Sequence, residues 1–167
     1  MLDIPSISAI VAAVGVMIGV IFAMLQLRDL VKTRHSDLFM SLYSTWGSEE
    51  LNKAHRRLIA IDVKDYDSFV KKYGPMASEE TEPSEIWSDI DRIGWFFNMM
   101  GFLVKEKLVH IKLVDEILGY WVIRAWELIR QLVYGWRKQY NMPESYQWFE
   151  YLYNEVKKKE QRGVKNG

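Results

Sequence analysis

The chain has 167 residues, room for one compact domain and an appendage. Lys and Arg balance Asp and Glu at 22 each, which argues against a protein whose main work is coating nucleic acid, since phosphate binding draws on surplus positive charge. With no cysteine there is no disulfide framework, thiolate metal site or cysteine nucleophile, while seven Trp, nine Tyr and seven Phe can build a heavy core or a core plus an adhesive face.

No charge lies between Asp3 and Arg28, and residues 9–25 carry no polar side chain. As a helix this uncharged stretch spans roughly 36 Å at about 1.5 Å per residue, against a hydrocarbon core of about 30 Å. A cleaved signal peptide would need a positive start, a shorter apolar run and a small-x-small cleavage site. Here the start holds Asp3 instead, and Phe22-Ala23-Met24-Leu25-Gln26 is a poor cleavage site. The stretch therefore predicts a single transmembrane helix, with residues 1–34 as anchor and juxtamembrane segment. Arg28, Lys32 and Arg34 follow the span, and retained positive charge places the N-terminus outside and residues 35–167 in the cytoplasm, at the cell (inner) membrane.

Gly15, Gly19 and Ala23 recur at four-residue steps, a small-residue stripe that lets two membrane helices approach closely. Small residues are also common in such helices without any partner. The polar groups Ser6, Ser8 and Gln26 sit only near the ends of the span, so a proton relay or ion pathway through this helix alone is not expected.

Leu27, Val31, Leu38, Leu42 and Trp46 continue one apolar face, so the helix should run unbroken past the membrane. Ser48, followed by Glu49 and Glu50, reads as an N-cap for a helix to about Ile61. Tyr66–Tyr73 is a short helix stopped by Gly74-Pro75, and residues 74–85 form an acidic loop. Ile86, Ile90, Ile93, Phe97, Met100 and Val104 form a core stripe at alternating four- and three-residue steps. After a break near Lys105–Lys112, the longest soluble helix should occupy Leu113–Tyr140, with a seam of Ile117, Trp121, Ala125, Leu128, Leu132 and Trp136. Pro143 suits the first turn of a last helix carrying Phe149, Leu152, Tyr153 and Val156. No segment alternates with period two. The fold class expected is all-α: one transmembrane helix, then a cytoplasmic bundle of about five helices over residues 35–167.

Chemistry is sparse. His35, His55 and His110 lie in separate segments, and Glu106 with His110 at i, i+4 supplies two donors where a metal site needs more. Asp89 and Asp91 point to different helix faces. Gly94 and Gly101 lie inside a helical stripe, where they permit close packing, and no phosphate loop is present. Neither a cofactor nor a catalytic set is expected. Arg124, Glu127 and Arg130 share a face of a strongly apolar helix, either as an ion-pair ladder or, with Tyr120, Trp126 and Tyr134, as a docking face. At the end of the chain Lys157, Lys158, Lys159 and Arg162 make a basic stretch that suits a helix C-terminus and could also meet anionic headgroups.

The run ISAIVAAVGVMIGVIFAMLQLRDLVKTRHSDLFMSLYSTW and the closing FEYLYNEVKKKE resemble a family of small membrane-anchored helical proteins, the domain of unknown function 4760. The resemblance implies an anchor followed by a helical domain, and implies no activity and no site residues. The function expected is a non-enzymatic interaction module, self-assembling or accessory to a larger membrane complex, with membrane lipid and partners reached through the transmembrane helix and no nucleic acid. The alternatives are a pore or effector subunit, and a membrane-face enzyme using Glu127 or Asp91.

Overall fold

The computed structural model describes the backbone of residues 4–76 and 83–165 and the side chains of residues 13–31, 33–76 and 83–161. The expectations for Asp3, for the side chains of Ser6, Ser8, Lys32 and Arg162, and for the middle of the 74–85 loop lie outside these. The described residues form six helices joined by turns and contain no strand: α1 Ile4–Trp46, α2 Glu49–Ile59, α3 Tyr66–Tyr73, α4 Glu85–Lys105, α5 Ile111–Tyr140 and α6 Gln147–Lys165. The chain divides into two compact units, residues 1–38 and 39–167.

The first unit is the greater part of α1. This helix is long and apolar enough to cross a membrane, and its apolar side chains from Val14 to Val31 stay exposed, Met24 at 67%. The helix continues without interruption to Trp46, as the continued apolar face predicts.

In the second unit the helices begin and end on local chemistry. Ser48 Oγ accepts the Leu51 N–H at 3.3 Å, and Asp65 Oδ1 accepts that of Ser68 at 2.8 Å, so both caps satisfy donors that a first turn leaves free. Gly74, at φ 80°, ends α3 where a Cβ would be strained. Trp87 pins this corner, its indole N–H donating to the Gly74 carbonyl at 2.8 Å and its ring meeting Phe69 edge-on.

α4 is the hub. It packs most heavily on α6 and next on α2, while α5 packs on α6 and α3. Ile90, Ile93, Phe97, Met100 and Val104 are buried as their stripe predicts, while Ile86 at its start is half-buried. Phe97 stacks on Phe149 at 5.0 Å, and Trp126 meets the same ring edge-on at 5.0 Å, so three helices share one aromatic centre. Gly101 makes the α4–α6 contact close: an added Cβ would lie 1.9 Å from the Trp148 carbonyl oxygen.

Two sequence expectations need correction. The buried side of α5 is Val114, Leu118, Val122, Ala125, Trp126, Ile129, Leu132 and Val133, whereas Ile117 of the expected seam is exposed. A helix apolar on nearly all sides has no periodicity that selects one phase, and contact with α6 and α3 makes the choice. Pro143 does not open α6: residues 142–146 form a turn and the helix starts at Gln147.

Candidate functional site

Helices make two stripes when apolar residues exceed what one core face needs. On α4 the inner stripe feeds the core, and Trp95, Met99 and Phe102 form a second, outward one at i, i+4 and i+7. Trp95 is 57% exposed and Met99 49%. The connector between α5 and α6 folds back along this stripe, and the two enclose a groove of about 810 Å³, closed further by Trp136, Met142 and Trp148. That size falls in the range of small-molecule sites, and the lining is overwhelmingly apolar.

Tyr146 is the part of this wall that the backbone works hardest to hold. It is a bulky residue at φ 54°, a left-handed conformation that costs about 1–3 kcal/mol outside glycine. Its hydroxyl donates to Asp91 Oδ1 at 2.5 Å, and its ring lies over Gly94, where a Cβ would come within 2.5 Å of Cε1. Burial, then the Asp91 carboxylate, push the phenol well above its ordinary range, so it stays a neutral donor. Trp95 packs against the same ring at 6.3 Å. One turn along α4, Asn98 Oδ1 accepts the N–H groups of Trp148 and Phe149 at 3.1 and 3.2 Å, which caps α6 and fixes the far wall. Glu144 is the single charged side chain among the described lining residues.

Outside the groove lining the unit holds a buried charge. Asp89, 0% exposed, accepts from Arg57 Nε at 2.5 Å and Nη2 at 2.8 Å, while Arg57 also reaches Glu85 at 2.6 Å. This network ties α2 to α4. Nearby His55 is buried among rings, with Trp121 edge-on at 4.7 Å and Trp46 at 5.7 Å, and its Nε2 has no hydrogen-bond partner among the described residues. Burial lowers its affinity for a proton.

The remaining sequence candidates scatter. Gly15, Gly19 and Ala23 lie on the exposed helix, with no atom within 4 Å of a Cβ placed at either glycine. Arg28 and Arg34 are exposed. On α5, Tyr120, Arg124, Glu127, Arg130 and Tyr134 face outward, but Trp126 does not join them: at 1% exposure it belongs to the core. Glu127 reaches α6, 3.5 Å from Lys157 and 3.4 Å from the Tyr153 hydroxyl, and no ion pair links it to Arg124 or Arg130 among the described residues. Lys158 pairs with Glu155 at 2.7 Å and Lys159 with Asp115 at 3.8 Å, so much of the basic stretch is matched by acids of the bundle. His110 caps α5 through Nδ1 and Glu106 ends α4, and no three His, Asp or Glu groups gather as metal donors among the described residues.

The groove itself was not read from the sequence. Its one legible signal was the outward spacing of Trp95, Met99 and Phe102; the connector that completes it carries no periodicity.

A family model described as a domain of unknown function (DUF4760) matches residues 13–156, in agreement with the resemblance carried by the two sequence runs. No curated protein and no solved structure matches the chain.

Proposed function

The chain belongs to the DUF4760 family, and from that premise we propose that it is a membrane-anchored, non-enzymatic interaction module. α1 crosses the cell membrane once, with its N-terminus outside and the helical domain in the cytoplasm. Through α1 the protein assembles with its own copies or with a larger membrane complex.

The observation that supports this reading is the exposed surface of α1. Met17, Phe22, Met24 and Leu27 each stand at least 60% exposed. Leaving such area in water costs about 25 cal/mol per Å², so the helix needs lipid, a partner helix or both. The open stripe of Gly15, Gly19 and Ala23 suits a partner helix, because close backbone approach drives association where lipid removes the hydrophobic incentive. Arg28, Lys32 and Arg34 at the end of the span favour the cytoplasmic placement.

Crosslinking in native membranes, with the products sized and identified by mass spectrometry, tests the reading. A ladder of this chain, or a defined hetero-complex, is the expected result, and either should weaken when Gly15 and Gly19 are replaced by Leu. Monomer alone would overturn it.

A further inference from the structure

We propose that the groove between α4 and the 142–148 connector is a binding site for an organic cation with an apolar body, of the alkyl- or aryl-ammonium class.

The argument begins with what the wall is made of. Trp95, Trp136, Trp148 and Phe102 give it aromatic surface on both sides, and Met99 adds an unbranched, polarisable side chain that adapts to irregular shapes. Exposed aromatic surface of this kind attracts any apolar molecule. The charge pattern narrows the class. Glu144 is the one charged lining residue among those described, and no Lys or Arg is among them. An anion would therefore meet a carboxylate, and Arg137, which holds the Ser145 carbonyl of the connector at 3.0 Å, is already paired with Glu150 at 2.6 Å, whereas an ammonium group would find both the carboxylate and π-rich rings.

Tyr146 strengthens the case from a separate direction. Its hydroxyl gives its hydrogen bond to a carboxylate, which pushes electron density into the ring and makes the ring a better partner for positive charge. The αL backbone, the Asp91 anchor and the cleared space over Gly94 together hold this ring in the wall beside Trp95. Strain retained at a groove wall is a mark of ligand clamps as well as of tight turns.

No described lining residue belongs to α1, so the binding experiment stands whatever crosslinking shows. The probe is benzyltrimethylammonium, titrated into the full-length protein in lipid nanodiscs and followed by ligand-observed NMR against empty nanodiscs. Benzyl alcohol and benzenesulfonate serve as the neutral and anionic counterparts. Saturable binding of the cation is expected, about tenfold tighter than the alcohol, with the sulfonate weaker still. Glu144→Gln should weaken the cation several-fold and leave the alcohol unchanged, and Trp95→Leu, which keeps an apolar side chain at an exposed position, should also weaken the cation. Circular dichroism of both variants should match the parent. Equal binding of cation and alcohol, absence of saturation, or full cation affinity in both variants would overturn the proposal.

Discussion

A side-chain carbon on Gly101 would lie 1.9 Å from the carbonyl oxygen of Trp148, closer than any real contact allows. The obstacle is backbone, so no rotamer change relieves it, and α4 and α6 would have to part along their main contact. Gly101→Ala should cost about 3 kcal/mol, the upper end of what forced overpacking does. Urea unfolding of the full-length protein measures it.

Arg57 and Asp89 make a second test of packing. Asp89 is fully buried, and losing the guanidinium leaves it, among the described residues, with Arg92 as its one ion-pair partner, 3.7 Å away. Arg57→Ala should destabilise the domain, because it leaves the buried Asp89 carboxylate without its bidentate partner. The double variant Arg57→Met with Asp89→Leu should recover much of that loss. If the double variant is no better than the single one, burial of the charge is not what makes the single change costly.

The His55 imidazole gives the domain a pH dependence. Its ring neighbours are Trp46 on α1 and Trp121 on α5, and among the described residues burial alone shifts its titration. Burial depresses its folded pKa below the ordinary 6.5, so between the two values the unfolded chain binds more protons. Stability from this group is therefore complete above about pH 7 and lost as pH falls from about 6.5 through the folded value. His55→Phe should flatten that part of the thermal stability curve. An unchanged slope would place the titration elsewhere.

Topology can be read with little background, since the chain has no cysteine. Lys53 is exposed on α2, and in Lys53→Cys a membrane-impermeant maleimide should label the protein only after the cell membrane is opened. Labelling of intact cells would reverse the orientation argued from Arg28, Lys32 and Arg34.

Much of the helical frame was legible before the structure. Tyr66–Tyr73 was stopped by Gly74-Pro75, and the stripe from Ile86 to Val104 named the buried side of α4 in all but its first residue. These cases share strong local punctuation or one unambiguous apolar phase. α5 had neither: Trp126 and Tyr120 looked equivalent, yet one is at the core and the other outside, since only contact with other helices distinguishes them. Tyr146 is less legible still. Nothing local favours αL at a tyrosine, and its partners Asp91 and Gly94 lie far away in sequence.

By itself the sequence determined the helical class, the apolar stretch long enough to cross a membrane and the family, because each is written in composition, in local periodicity or in runs of residues. Only the tertiary structure decided which face of α5 is buried, which glycines separate backbones and where the aromatic groove lies. Each of those depends on which helices meet, and that is settled by the whole core packing at once.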